Sequence, residues 1–207
     1  MAPIRQAGSR VSGMLDAVEQ TVWDVIWLYI KLGYEHILPL GLDHILFVLA
    51  LFLASSKWKD LIWQVSAFTV AHTITLALAT LGHVSLPGSI VEPIIALSIA
   101  FVAIENIVFK DVQKWRPALV FAFGLFHGLG FAGVLGELGL PEGDLAAALI
   151  SFNVGVELGQ LSILAMAWLA VFWWRDKPAY NYLRLGGTGL IALMALWWTV
   201  ERVFLGG

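Results

Sequence analysis

The sequence predicts an all-α fold, a polytopic membrane helical bundle of six transmembrane helices preceded by an amphipathic interfacial helix. Three observations carry that expectation. Of the 207 residues, 59% are hydrophobic and only 13% charged, where soluble domains run near 45–50% and about 25%; the mean hydropathy is +0.83. Six apolar segments come close to the ~20 residues needed to cross a bilayer, at roughly 37–55, 61–81, 90–109, 117–138, 145–174 and 183–204. Lysine and arginine crowd into alternate connections between those segments.

Taken in order, residues 1–13 (MAPIRQAGSRVSG) form a polar tail. No apolar run directly follows Arg5 and Arg10, so the tail does not read as a signal peptide. Residues 14–35 form the interfacial helix: Met14, Leu15, Val18, Val22, Val25, Ile26 and Tyr29 recur at helical spacing opposite Asp16, Gln20, Asp24 and Lys31, and Trp23 and Trp27 lie at its edge. Residues 36–207 make a single six-helix transmembrane domain. Its first span is interrupted by Pro39 and Gly41, so regular helix begins near Asp43. Non-helical backbone at membrane depth is tolerated where it lines a cavity, which makes this break the first sign of one.

The cations set the orientation. Lys57 and Lys59, then Lys110, Lys114 and Arg116, then Arg175, Lys177 and Arg184 occupy the first, third and fifth connections, while the second and fourth carry none. The positive-inside rule assigns those three loops to the cytoplasm and both termini to the outer, periplasmic face. Trp58, Trp63, Trp115, Trp173 and Trp174 then border the inner side, and Trp197 and Trp198 the outer.

The same composition excludes several classes. A net charge of −3 offers no basic surface for nucleic acid. With no cysteine there are neither disulfides nor thiolate metal sites, leaving imidazole and carboxylate as metal ligands. No phosphate-cradling glycine loop is present, so any transport runs without nucleotide hydrolysis. The expected partners are a metal ion and the lipid bilayer; the GxxxG faces at Gly124/Gly128 and Gly155/Gly159 allow close helix approach and permit, without requiring, a homo-oligomer.

Ionisable residues inside a membrane are costly and mark pathways or relays, and here they recur on successive spans. His36, Asp43 and His44 stand at the mouth of the first (GYEHILPLGLDHILFVLALFL), His72 in the second (AFTVAHTITLAL), Glu105 in the third, His127 in the fourth (FGLFHGLGFAG) and Glu157 in the fifth (FNVGVELGQL). Imidazole nitrogen and carboxylate together form a ligand set for a divalent metal ion. The expected metal residues are therefore His36, Asp43, His44, His72, His127 and Glu157. Thr69, Glu105, Asn153 and Gln160 form a secondary polar path, with Thr69 sharing the face of His72 and Asn153, Glu157 and Gln160 spaced i, i+4, i+7. Asp43 has a second reading as the cap of the helix that starts beside it.

These segments, with VEPIIALSIAFVAIEN and the terminal WTVERVF, resemble the HupE/UreJ family of membrane proteins from about Tyr34 to Phe204. The resemblance implies a nickel permease of a bacterial-type inner (plasma) membrane, associated with hydrogenase and urease maturation. It maps the first-span motif onto His36, Asp43 and His44, and the FHG motif onto Phe126, His127 and Gly128. The motif here is H-x6-D-H, one residue longer than the H-x5-D-H of the nickel permeases, and FHG runs on without a nearby acidic residue, which marks a divergent branch.

The first expectation is thus a permease and not an enzyme, with Ni²⁺ as substrate and Zn²⁺ or Co²⁺ as the other cations the ligands suit. Its rivals are a membrane-embedded zinc-dependent hydrolase, in which the same ligands would hold an ion that activates water, and a metal-stabilised membrane scaffold.

Overall fold

The structure, a computed structural model, describes residues 21–55, 57–109, 111–137 and 143–205, with side chains described except between 132 and 137. The expected tail and the first residues of the expected interfacial helix lie outside it. Among the described residues there are seven helices and no strand: α1 (Val22–Ile37), α2 (Leu42–Ala54), α3 (Trp58–Thr80), α4 (Gly88–Val108), α5 (Arg116–Glu137), α6 (Leu145–Val171) and α7 (Ala179–Phe204).

Four of them, α3, α4, α6 and α7, are long and apolar enough to cross a membrane. The first of the six expected spans is broken for a local reason. The residue before a proline disfavours helical backbone, so α1 stops at Ile37 ahead of Leu38–Pro39 and α2 restarts only at Leu42. What remains of the first expected span is 13 helical residues, about 20 Å at 1.5 Å per residue against a core of roughly 30 Å. α1 and α2 together qualify as one broken span, bent by 69°. α5, whose side chains are described as far as Phe131, is apolar over Arg116–Phe131.

α1 is packed into the bundle along one face. A capping box starts it: Thr21 Oγ1 accepts from the Asp24 amide at 3.3 Å, and the Thr21 amide donates to Asp24 Oδ2 at 3.0 Å. It then buries one narrow stripe, Val25, Tyr29, Gly33 and Ile37, against α6. A Cβ on Gly33 would collide with the Phe152 carbonyl oxygen, and one on Gly155 with that of Ile30. The two backbones are therefore in direct contact. A parallel arrangement joins α5 to α3, where a Cβ on Gly128 would meet the His72 carbonyl oxygen. Both GxxxG faces thus serve close helix approach within the chain.

The outside of the bundle is apolar. Leu97, Phe101 and Ile104 on α4 and Ile150, Val154 and Leu158 on α6 are all exposed, as side chains facing lipid are.

Side-chain bonds sort the helix ends. Arg175, after α6, donates to the Ser55 carbonyl at the end of α2 (2.6 Å), and Arg184 in α7 to the Asn106 carbonyl near the end of α4 (3.2 Å). At the other end, Arg202 donates to Asp43 at the start of α2 and to the Glu92 carbonyl in α4 (both 3.1 Å). The cation-bearing connections therefore share one end, as expected, and the His36–His44 mouth lies at the other.

Candidate functional site

Three helices bring three imidazoles together. His36 sits in the last turn of α1, His44 in the first turn of α2 and His72 halfway along α3. One ring nitrogen from each lies within 4.8 Å of the others. His44 and His72 are 6% and 0% exposed, and His36 is half-buried. Nε2 of all three is buried without a hydrogen-bond partner. The α1–α2 break makes this convergence: a Cβ on Gly41 would strike the His36 carbonyl oxygen, so only glycine lets the chain fold back closely enough to place His36 beside His44, with ring centroids 4.8 Å apart.

Hydrogen bonds fix how two imidazoles present their lone pairs. Asn153 donates through Nδ2 to the Leu149 carbonyl (2.8 Å), which leaves its Oδ1 as the atom 3.1 Å from His72 Nδ1. His72 Nδ1 therefore carries the proton, and the unpartnered Nε2 is the free ligand atom. His127 follows the same logic in reverse. Ser98 Oγ donates to the Ile95 carbonyl (2.7 Å) and so accepts from His127 Nε2 at 3.1 Å, leaving the lone pair on Nδ1, which is buried and unpartnered. His127 stands next to the cluster, its ring 5.0 Å from that of His44, and outside the set of three.

The cluster opens toward the mouth. A cavity of about 700 Å³ is lined by His36, His44 and His127, and by Asp43, Glu92 and Arg202 near its rim. His72 closes the site from behind. Phe68 and Phe131 wall it, with ring centroids 4.9 Å from His127 and 4.0 Å from His36.

Two of the expected ligands have partners within the protein. Asp43 makes no cap bond; both its oxygens accept from Arg202 Nη2 at 3.1 Å, so the carboxylate is turned to α7 and held by a guanidinium. Glu157 accepts from Ser66 Oγ at 2.6 Å, in the seam between α3 and α6. That seam holds most of the expected polar path: Asn153 meets His72, and Thr69 donates to Gln160 Oε1 at 2.9 Å. Glu105 is at the opposite end, 3.3 Å from Arg116 Nε, with both side chains almost wholly buried.

Arg202 and Ser98 adjoin the site and lie outside the expected ligand set. Arg202 had a signal, a cation at the end of an apolar run in WTVERVF. Ser98 had only its place on the face of Glu105, because many membrane serines bond back to their own helix, as this one also does.

Fold and site together define a class: a polytopic helical membrane protein with a buried cluster of imidazoles reached from one end of the bundle. The HupE / UreJ protein family model matches residues 14–202, and the chain belongs to the HupE/UreJ family. No curated protein and no solved structure matches it.

Proposed function

We propose that the protein is a membrane permease for a divalent transition-metal ion, with His36, His44 and His72 as its binding station and Ni²⁺ first among the candidate substrates. The observation that carries this reading is the convergence of three imidazoles, one ring nitrogen of each within 4.8 Å of the others, in which every Nε2 is buried with no hydrogen-bond partner. Leaving one buried polar atom unpaired costs about 1–3 kcal/mol. Three such atoms in one cluster are accounted for together if a cation completes it. Imidazole without thiolate suits Ni²⁺, Zn²⁺ and Co²⁺, and geometry rather than raw affinity selects among them.

In this reading the cation reaches the cavity at the rim, where Glu35, Asp43 and Glu92 outnumber Arg202 and attract positive charge. It exchanges water for imidazole at the three histidines, with His127 Nδ1 as the adjacent lone pair. Asp43, held by Arg202, serves the rim rather than the ligand set. By the positive-inside assignment the mouth is periplasmic and the membrane an inner one.

The test is flux. In proteoliposomes carrying a trapped metal-sensitive dye, wild type admits Ni²⁺, while His44→Ala and His72→Ala are folded, bind no metal by calorimetry and admit none. Flux unchanged in both variants would overturn the reading.

One feature favours a second reading. Three imidazoles leave an open coordination position, the arrangement of catalytic zinc sites, and here it faces a cavity far larger than an ion, beside the Ser98–His127 bond. A resident zinc there would supply Lewis acidity, and Ser98 and His127 would orient a substrate or move a proton. A tightly co-purifying metal ion combined with absent flux would select the hydrolase over the permease.

A further inference from the structure

At the cation-bearing end, a second cavity of about 500 Å³ lies between the end of α2, the end of α6 and the first turns of α7. Arg175 and Arg184 both line it and are half-buried. Arg175 donates to the Ser55 carbonyl at 2.6 Å, and its guanidinium lies 5.1 Å from the Phe52 ring centroid and 5.8 Å from that of Tyr180. Arg184 donates to the Asn106 carbonyl at 3.2 Å and to Asn181 Oδ1 at 3.3 and 3.1 Å. Every one of these acceptors is neutral. Among the described residues neither arginine forms an ion pair; Asp176 at the rim is exposed and bridges to neither. A third group in the wall, Tyr180 Oη, is buried without a partner.

We propose that this cavity binds the phosphate of an anionic phospholipid headgroup. Two guanidinium groups and a phenol offer charge-assisted and neutral donors to phosphate oxygens, and the planar guanidinium fork matches phosphate geometry. The counter-charge that the protein does not provide then comes from the ligand. The location supplies the lipid: the cavity lies at the ends of the helices, with Trp168 in its wall and Lys57, Lys59 and Lys177 exposed around that end, and basic pockets of this kind between membrane helices take anionic headgroups. Free phosphate shares the chemistry but lacks acyl chains to hold it at that depth.

The experiment uses the full chain in neutral detergent and follows thermal unfolding as phosphatidylglycerol, phosphatidylcholine or inorganic phosphate is added. Phosphatidylglycerol is expected to raise the midpoint, phosphatidylcholine to do so much less, and inorganic phosphate to leave it unchanged. Arg184→Gln should weaken the phosphatidylglycerol response about tenfold in midpoint concentration, as loss of a charge-assisted contact does. Lys59→Gln, an exposed cation outside the cavity, should retain the full response. Tyr180→Phe keeps the ring packing and removes only the hydroxyl, so it reports a weakened response even if the arginine variant is poorly folded. Equal responses to the two lipids, or equal losses in the Arg184 and Lys59 variants, would refute the site. A full response to inorganic phosphate alone would refute the lipid.

Discussion

At the scale of the residue, the site depends on which nitrogen of each imidazole carries its proton. For His72 that choice is made by Asn153, whose own donor is committed to the Leu149 carbonyl. Asn153 touches no ligand atom, yet it holds the ring with its free lone pair facing His36 and His44. Partners of this type are worth about 10–100-fold in metal affinity. Asn153→Leu is therefore expected to weaken Ni²⁺ binding by about that factor, measured by calorimetry, and to destabilise the apo protein by about 1–3 kcal/mol, because the buried His72 Nδ1 loses its only partner. Asn153→Asp keeps an acceptor at the same place and should bind nearly as well as wild type. An equal loss in both would mean that Asn153 acts through packing and not through the proton on His72. The ligand types were legible in the sequence because histidine at membrane depth stands out against apolar neighbours. Their partition was not. Asp43 adjoins His44 in the chain, but the charge that claims it, Arg202, belongs to the last helix, and no local pattern relates the two.

At the scale of the element, close backbone approach builds the site. Gly33 and Gly155 let α1 lie against α6, which positions His36; Gly124 and Gly128 let α5 lie against α3, which positions His127. The packing seam of α1 is hard to read from its sequence. Its hydropathic pattern is decided by Asp24 and Lys31 against a few apolar residues, whereas the buried stripe includes a glycine with no side chain to register. The small-residue faces were legible, but not what lies against them. Two glycine substitutions separate these roles. In Gly155→Ala the new methyl meets the Ile30 carbonyl oxygen, backbone that cannot rotate away, and the expected cost is about 1–3 kcal/mol, the usual penalty of overpacking. Because the displaced helix carries His36, Ni²⁺ affinity falls in the same variant. Gly189→Ala on α7 has nothing within 4 Å of the new methyl and should stabilise the helix by up to about 1 kcal/mol. Denaturation of both in mild detergent, together with calorimetry, checks the pair. A Gly155→Ala protein as stable as Gly189→Ala would mean that α1 does not pack on α6 this closely.

At the scale of the whole molecule the two ends of the bundle differ: one holds the cavity that reaches the histidines, the other a second cavity beside a knot of buried polar pairs. Which connections share an end was legible because a loop's charge is local sequence; the knot was not, because it is made of long-range pairs. Asn106 is its hub. Its Nδ2 donates to the Ala50 carbonyl at 2.7 Å, its Oδ1 accepts from Arg116 at 2.6 Å and its carbonyl accepts from Arg184, so α2, α4, α5 and α7 meet there. Beside it Glu105 and Arg116 are 3.3 Å apart, 3% and 2% exposed, and neither carboxylate oxygen has a hydrogen-bond partner. A buried ion pair with such geometry contributes little net stability, since desolvation offsets the attraction, but removing one partner strands the other charge at a cost of about 3–5 kcal/mol. Glu105→Leu should therefore destabilise the protein by about that amount, and Glu105→Leu with Arg116→Met should recover most of it, as read from denaturant midpoints. The double variant also separates binding from passage. In the proposed permease an exit by the cationic end would pass this cluster, and an apolar pair offers an ion no polar group there. Ni²⁺ binding at wild-type affinity with flux lost is thus the expected result for the double variant, and wild-type flux in it would show that the ion leaves by another route, the α3–α6 seam of Thr69, Gln160 and Glu157 being the other polar path.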